Sequence, residues 1–387
     1  MRLAVVTRIY RPEPAAASIF LGAVVDSALG RGILVDVYTA TPPLGTPSQT
    51  RGERVRSWPV LRDSTGYVRG YAGYVSYDVP LFFRLLFGPR PDAVLVEPPP
   101  TSGAVVRAVC ALRRIPYVYD AADIWSDAVQ LEPVPGVVIR VLRAVEKLAL
   151  RGAAHIVTVS QGVVGRIRAL GSHAPVTVTG FGADATQFTY LEMPTEKLFV
   201  YAGSYSPYHG ADILVDGFAL FSEQYPGYVL RFIGNGASRD TVEQRARELG
   251  VSSQIEFLEP VTPAALLPHL NAAVASLATI KPDTVYEYSY ASKAFSSFMT
   301  GCPVIFAGSG PTIDLIDEAR AAGVRAGAAS AYDAEAIAAQ LVESVESLPS
   351  ADERRDLALW ASQNHSLQAV ADRVVDVISD TPARVGT

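Results

Sequence analysis

The sequence has few cysteines, few histidines and no block of basic residues, and each shortage excludes a class of protein. Its 387 residues include two cysteines, Cys110 and Cys302, and five histidines, with no His-Glu-x-x-His and no Cys/His cluster. We therefore expect no disulfide framework, no metal and a reducing, cytoplasmic environment. The formal net charge is −6, so nucleic acid is not an expected partner.

Long apolar runs and a leader-like start are also missing. No stretch approaches the roughly 20 apolar residues that span a bilayer, and the opening MRLAVVT predicts a strand rather than a signal peptide. We expect a soluble protein that can touch a membrane. The apolar segment VPLFFRLLFGPR at 79–90, which carries two arginines, fits either a helix at the inner face of the cell membrane or a buried core helix.

Short β-branched runs alternate with helical patterns along the chain, which is typical of parallel α/β units. The predicted strands are 3–7, 34–40, 93–97, 117–121 and 155–160, then 198–203, 228–236, 255–260, 272–278 and 302–308. The polar segment 184–197 between the two series predicts a linker.

The sequence thus predicts an α/β protein with two Rossmann-like domains and a ligand site in the cleft between them. The first domain is expected at 1–185 and the second at 198–363. Residues 364–387 are expected to form a C-terminal helix that returns toward the first domain.

Residues 292–308, SKAFSSFMTGCPVIFAG, combine a helix start, a glycine stop and an apolar strand. Backbone N–H groups and the positive dipole end at a helix start suit phosphate, and Lys293 adds a cation for the same anion. The alternative without a ligand-binding role is a core helix capped by Ser292. A lysine at a helix start opposes the dipole unless an anion is bound, so we expect a phosphate-bearing ligand here.

Two loops with glycines follow strands of the second series. The loop at 202–218 enters a helix near Gly210 and can bring the backbone of Gly203 and Ser204 close to a diphosphate, although an ordinary strand-to-helix loop also fits. In FIGNG at 232–236, Gly234 and Gly236 make a weak phosphate-loop signal that a tight turn explains equally well.

In the first series, DAADIWSDAV at 120–129 follows a strand end. Asp123 can orient an acceptor hydroxyl and Trp125 can stack on a sugar ring; the alternative is a capped helix start with a core tryptophan. Asp120, Asp123 and Asp127 together raise the question of a divalent cation, but we predict that no metal binds.

Residues 292–308 resemble the nucleotide-sugar helix of retaining GT-B glycosyltransferases of the family 4-like group, where Ser-Lys precedes Phe, an acidic residue and Ala-x-Gly-x-Pro-Val. Residues 120–129 resemble Arg-Asp-Leu-Trp-Pro-Glu of a bacterial branch associated with colanic-acid or capsule assembly. The resemblance extends over about residues 3 to 375. It implies a UDP- or GDP-sugar donor as substrate, no cofactor, and a glycan or lipid-linked acceptor in cell-surface polysaccharide biosynthesis.

The resemblance also implies roles for individual residues. The catalytic residues would be Asp123, His209 and Lys293, and the donor would be held by Gly203, Ser204, Gly234, Gly236, Glu287, Ser292 and Ser296.

The sequence departs from the family pattern at several of these positions. Ser204 and His209 stand where many members have Arg and Lys, and Ser296 stands where an acidic residue holds the ribose. A second acidic position is Tyr288 here, with Glu287 beside it. These departures leave open a non-catalytic nucleotide-sugar-binding partner subunit on the same scaffold. A natural-product glycosyltransferase is a further alternative that differs only in its acceptor.

Overall fold

The chain forms two compact units, each built around its own parallel sheet. The computed structural model describes residues 1–13, 15–43, 50–63, 66, 68, 70–129 and 134–381. One unit is Met1–Gly180 together with the C-terminal segment that begins at Val370, and the other is Phe181–Ala369. The predicted α/β class with two Rossmann-like sheets is confirmed.

The first unit contains a seven-stranded sheet in the order β3-β2-β1-β4-β5-β6-β7. Its strands are β1 Arg2–Val6, β2 Leu34–Ala40, β3 Arg54–Trp58, β4 Ala93–Val96, β5 Tyr117–Ala121, β6 His155–Thr158 and β7 Val176–Val178. The central strands are apolar and buried, as expected when helices cover both faces. Leu3 of β1 pairs with both Val35 and Ala93, so the strand order reverses at β1, where parallel sheets bind ligands.

The helices of the first unit connect these strands. They are α1 Ala16–Gly30, α2 Gly70–Phe87, α3 Pro100–Arg113, α4 Trp125–Ala128, α5 Gly136–Gly152 and α6 Gln161–Ala169. Helix α3 packs between α2 and α5, so these three helices form one layer on the sheet.

The second unit contains a six-stranded sheet in the order β10-β9-β8-β11-β12-β13. Its strands are β8 Leu198–Ala202, β9 Val229–Ile233, β10 Ile255–Leu258, β11 Ala275–Ile280, β12 Val304–Gly308 and β13 Gly327–Ser330. Its helices are α7 Asp212–Gln224, α8 Arg239–Glu248, α9 Pro263–Ala272, α10 Lys293–Met299, α11 Pro311–Ala321, α12 Ala334–Glu346 and α13 Ala351–His365. The last helix, α14 Leu367–Asp380, begins at the end of this unit and lies mostly in the first. Here the order reverses at β8, which lies between β9 and β11.

Helix α14 contributes to the core of the first unit. Its residues Val374, Val375 and Ile378 are fully buried in the cluster that contains Val24 of α1 and Leu3 of β1. The apolar face of α14 recurs at helical spacing, which is why it can seal this core.

The segment 184–197, predicted as a linker, lies inside the second unit. The amide of Leu191 donates to Asn271 Oδ1 at 2.6 Å, and the amide of Glu196 donates to Ala272 O at 2.8 Å. These bonds attach the segment to the end of α9, although it contains no regular helix or strand.

The structure also bears on the question of a membrane span. Across the described ranges, no helix has both the length and the apolar character needed to cross a bilayer.

Candidate functional site

The carboxyl ends of β8 and β9 meet through glycine backbone. Gly203 and Gly234 have φ angles of +144° and +143°, which side-chain-bearing residues rarely adopt. A Cβ on Gly234 would lie 2.0 Å from the carbonyl oxygen of Gly203, and a Cβ on Gly236 would lie 2.6 Å from the amide of Tyr205. The two loops therefore need glycine because their backbones touch.

The amides of these glycines already have hydrogen-bond partners. The amide of Gly203 donates to Ile233 O at 2.9 Å, and that of Gly234 donates to Leu258 O at 3.1 Å. The amide of Gly236 is also occupied, by the side chain of Asn235 at 2.7 Å. The Gly203 N–H is therefore not available to a phosphate, because it donates to the neighbouring strand.

Lys293, the first residue of α10, lies against this glycine scaffold. Its Cε is 3.1 Å from the point that a Cβ on Gly203 would occupy, and its Nζ is 4.6 Å from the ring centre of Tyr201. Only 8% of the residue is exposed, and burial lowers the pKa of its ammonium to about 8. No carboxylate pairs with it among the described residues, and a buried cation without a partner is costly. An anionic ligand would relieve that cost.

Ser292 does not cap α10. Its backbone is helical (φ −54°, ψ −25°) and its side chain makes no capping hydrogen bond, so the serine cap of the core-helix alternative is wrong, although the helix is buried in the core as that alternative expects. The residue is exposed, and its hydroxyl lies beside Lys293 in the chain. Since α10 has only seven residues, Lys293 rather than a helix dipole is the main attraction for an anion.

His209 lies near Lys293 and is neutral. It is buried, and its ring centre is 4.3 Å from that of Tyr208. Burial, and secondly the charge of Lys293, lower the pKa of the imidazole to about 3. Its Nδ1 has no hydrogen-bond partner among the described residues. This side chain can therefore give or take one hydrogen bond but adds no positive charge.

Ser204 and Ser296 are hydroxyl groups at the edge of the same region. Ser204 is exposed, with its Oγ 3.4 Å from that of Ser206. The Ser296 hydroxyl donates to the carbonyl of Lys293 at 3.0 Å. Because its proton is used inside the helix, Ser296 has only acceptor capacity left for a ligand.

Glu287 holds the loop that leads into α10. Its Oε1 accepts hydrogen bonds from the amide of Asp283 at 2.7 Å and from Ser309 Oγ at 2.8 Å. A Cβ on Gly310 would lie 2.0 Å from the carbonyl oxygen of Glu287. The carboxylate thus ties the ends of β11 and β12 together. Its second oxygen, Oε2, remains for a ligand.

Asp123 belongs to the first unit, where it follows β5. Its side chain keeps an exposed surface, while the surrounding protein raises the pKa of its carboxyl by desolvation. Asp120, at the end of the same strand, is buried. The pKa of Asp120 is raised to about 7, first by burial and then by the charge of Asp123.

Arg8 and Glu97 are neighbours of this region that the sequence did not single out. Thr7 Oγ donates to Glu97 Oε1 at 2.6 Å, and burial raises the pKa of Glu97 to about 8. The guanidinium of Arg8 lies 3.9 Å from the ring centre of Tyr74 and 5.8 Å from that of Trp125. Within the described ranges its Nη1 has no hydrogen-bond partner, so a buried donor is available to a ligand.

One pattern could have located this second group of residues. Thr7, Glu97 and Asp120 stand at the carboxyl ends of β1, β4 and β5, which are consecutive in the sheet. Polar residues directly after buried strands are placed together by parallel pairing.

The acidic residues of 120–129 do not form a cation site. Both oxygens of Asp127 pair with Arg166 at 2.7 Å, and Glu146 accepts from the amides of Trp125 and Ser126. In the part of the chain that the structure describes, no three His, Cys, Asp or Glu side chains are grouped as metal ligands.

Lys293 should make donor binding depend on pH. We expect affinity for a diphosphate ligand to be constant below pH 8 and to fall above it, approaching tenfold per pH unit, as the ammonium loses its proton. Above pH 8 the free energy of unfolding of the ligand-free protein should rise, because the lysine loses its proton in the folded state and keeps it in the unfolded state. Calorimetric titration from pH 6 to 9.5 checks this. A flat profile, or the same profile in Lys293→Met, would contradict it.

Glu97 should make the stability of the protein fall as pH rises. The unfolded carboxyl loses its proton near pH 4.5 and the folded one near pH 8, so the unfolded state binds fewer protons between these values. We expect Glu97→Gln to remove a decline of about 1.4 kcal/mol per pH unit. Melting temperatures at pH 5 and pH 8 measure it, with the exposed Glu223→Gln as control. Equal declines in wild type and Glu97→Gln would show that Glu97 ionises normally.

Two Rossmann-like sheets with their polar side chains beyond the strand ends make the GT-B glycosyltransferase fold. The chain matches two family models: a glycosyl transferase 4-like domain over residues 22–182 and glycosyl transferases group 1 over residues 184–357. Together these models cover most of the chain, which therefore belongs to the GT-B glycosyltransferases.

A curated relative matches a shorter stretch. The D-inositol 3-phosphate glycosyltransferase of Corynebacterium glutamicum (strain R) is 31% identical over 117 residues, which are 29% of this chain and 27% of that protein. The chain thus spans about a quarter of the length of the curated relatives that it matches.

Solved structures match along the whole chain. The sucrose-phosphate synthase of Thermosynechococcus elongatus has a TM-score of 0.72 at 15% identity, covering 97% of this chain and 98% of that one. WaaG, a glycosyltransferase involved in lipopolysaccharide biosynthesis, has a TM-score of 0.66 at 16% identity, covering 98% of this chain and 100% of that one. At these identities the likeness concerns the fold alone.

Proposed function

We propose that this protein is a retaining glycosyltransferase that moves a sugar from a UDP- or GDP-sugar to a glycan or lipid-linked acceptor in cell-surface polysaccharide biosynthesis. The observation that carries this proposal is the buried ammonium of Lys293, which lies against Gly203 and has no carboxylate partner among the described residues. The family matches support the reaction class, and the resemblance of residues 120–129 to a branch associated with capsule assembly motivates the cell-surface product.

The second unit would bind the donor. The diphosphate would lie beside the loops that contain Gly203, Gly234 and Gly236, next to the charge of Lys293. Neutral His209 and the hydroxyl of Ser204 would each add one hydrogen bond. Glu287 and Ser296 would contact the sugar or the ribose, and Ser292 the phosphates. The nucleotide-sugar is a substrate, and no cofactor takes part.

In the reaction, the bond between the anomeric carbon and the diphosphate oxygen breaks while the acceptor oxygen bonds to the same face of that carbon. The acceptor proton passes to the leaving diphosphate. Lys293 would stabilise the charge that develops on the diphosphate, which is a large effect in a site shielded from water. Asp123 would orient the acceptor hydroxyl.

The acceptor would also determine where the enzyme works. A lipid-linked acceptor requires peripheral contact with the inner face of the cell membrane. A natural-product acceptor would need no such contact, and it would leave the donor chemistry unchanged.

Donor turnover by the full chain tests the proposal. The protein is incubated with a series of UDP- and GDP-sugars, and release of nucleoside diphosphate is measured with and without acceptor extracts. We expect one donor class to turn over, and NMR of the product to show retained anomeric configuration. Binding of a donor without any turnover would instead establish the non-catalytic partner subunit, and an inverted product would refute retention.

Ser296→Glu tests the proposed contact with the ribose. A carboxylate at this position should bind the ribose hydroxyls by charge-assisted hydrogen bonds and raise donor affinity about tenfold. Ser296→Ala is the matched control: it removes only the one hydrogen bond that the hydroxyl can still accept from the ribose, so donor affinity should fall about fivefold at most. Unchanged donor affinity in Ser296→Glu would mean that this position does not face the ribose.

A further inference from the structure

Helix α2 exposes a continuous apolar ridge. Its members recur at every fourth position and are Tyr71, Val75, Val79, Phe83 and Phe87, which we call the α2 ridge; all are exposed, from 51% at Val79 to 80% at Phe87. At 1.5 Å per residue the ridge is about 24 Å long. Helices of globular proteins normally present polar residues to water, so a ridge of this length indicates an interaction surface.

The same helix also has a buried apolar face. Tyr77, Leu81 and Leu85 are fully buried in the first unit, while Phe83 and Phe87 stack on the outside with ring centres 6.5 Å apart. The core-helix interpretation of segment 79–90 therefore holds for one side of the helix only. One side of the helix belongs to the core, and the other side has no covering among the described residues.

The layer formed by α2, α3 and α5 is basic, although the whole chain is acidic. Its seven cationic side chains are Arg84, Arg107, Arg113, Arg140, Arg143, Lys147 and Arg151. None of the seven forms an ion pair with a described residue. The only acidic residues of these helices, Asp78 and Glu146, are buried. The outer surface of the layer therefore presents cations and apolar groups without any carboxylate.

A pocket of about 360 Å³ lies at the end of the α2 ridge and is lined by Tyr38, Arg56, Phe83, Arg84, Phe87 and Gly88. The guanidinium of Arg84 lies 4.8 Å from the ring centre of Trp58 and pairs with no carboxylate in the part of the chain that the structure describes. Arg56 is bound to Asp36 at 2.7 Å. A cation between two phenylalanines suits a lipid phosphate whose acyl chains continue along the ridge.

We propose that the outer surface of α2, α3 and α5 docks on an anionic lipid bilayer. The α2 ridge enters the headgroup region, and the basic side chains of α5 face the lipid phosphates. Docking itself does not depend on the proposed function. Its purpose does rest on that function, because docking would bring the enzyme to a lipid-linked acceptor. A second copy of this chain is a poorer occupant, because it would present the same cationic surface and repel the first.

Vesicle binding by the full chain tests this surface. We expect co-sedimentation with vesicles of equal parts phosphatidylcholine and phosphatidylglycerol, little with phosphatidylcholine alone, and weaker binding at high salt. The double variant Phe83→Ser/Phe87→Ser should bind at least about tenfold more weakly. Arg140→Gln/Arg143→Gln should lose about tenfold or more on anionic vesicles only. The control is Leu359→Ser on α13, an exposed leucine of the second unit, which should bind as wild type does.

Several results would overturn the docking surface. They are equal binding to neutral and anionic vesicles, no effect of the double phenylalanine variant, or an equal loss in Leu359→Ser. Dimers in sedimentation without vesicles that Phe83→Ser/Phe87→Ser converts to monomers would assign the ridge to a second copy. Donor hydrolysis measured without vesicles separates the two proposals: its absence in a protein that still binds vesicles refutes the glycosyltransferase but not the docking.

Discussion

Lys293→Met is expected to remove most donor binding and turnover while making the free protein more stable. The ammonium is buried beside Gly203, no carboxylate of the described ranges pairs with it, and burial lowers its pKa to about 8. Methionine fills a similar volume without the cost of desolvating a charge, so stability should rise by about 1–3 kcal/mol. The catalytic efficiency should fall about 10²–10³-fold, as when an electrostatic contact to a leaving group is lost.

Thermal unfolding and donor turnover measured on one preparation check both halves of this expectation. Lys197→Met, at an exposed lysine just before β8, is the matched control and should change neither. A lower melting temperature in Lys293→Met would mean that the ammonium has a stabilising partner. Unchanged turnover would show that the diphosphate does not bind next to α10.

Gly234→Ala should disrupt the donor region through a single methyl group. The φ angle of +143° is unfavourable for alanine, and the new Cβ would lie 2.0 Å from the carbonyl oxygen of Gly203. One of the two loops must then move, so we expect a loss of more than about 3 kcal/mol of stability. Donor affinity should fall with it, because the displaced backbone of Gly203 lies against Lys293.

Gly250→Ala is the control that separates the steric clash expected in Gly234→Ala from the cost of placing alanine at a positive φ angle. Gly250 has a φ angle of +72°, and no atom lies within 4 Å of the Cβ position, so its replacement should cost only about 1 kcal/mol. Chemical denaturation of both variants measures the difference. Similar losses would show that the contact between the loops of β8 and β9 is easily relaxed.

Local sequence pattern was sufficient to predict the fold class. The run at 302–308 predicted a strand and β12 spans Val304–Gly308; residues 292–300 predicted a helix and α10 spans Lys293–Met299. The periodicity of apolar residues and the glycines that end helices are local properties of the sequence, so they can be recognised without knowing any tertiary contact.

Features that depend on distant residues could not be predicted in this way. Ser292 has the right chemistry for a cap, yet its backbone is helical in the folded chain. The sequence does not show that the amide of Gly203 donates a hydrogen bond to Ile233 O of β9 in the folded chain. Arg8 and Glu97 are 89 positions apart, and only the order β1-β4-β5 brings their strand ends together. The roles of the predicted site residues stay predictions until a donor is bound.

Helix α14 has a consequence for biosynthesis of the chain. The residues of α14 that close the core around Val24 are translated after the whole second unit. On the ribosome part of the apolar surface of the first unit must therefore stay uncovered until the second unit has been synthesised. Translation that stops after Ala369 would leave the second unit whole and the first unit without its last core helix. The order of synthesis and the order of final packing thus differ in this molecule.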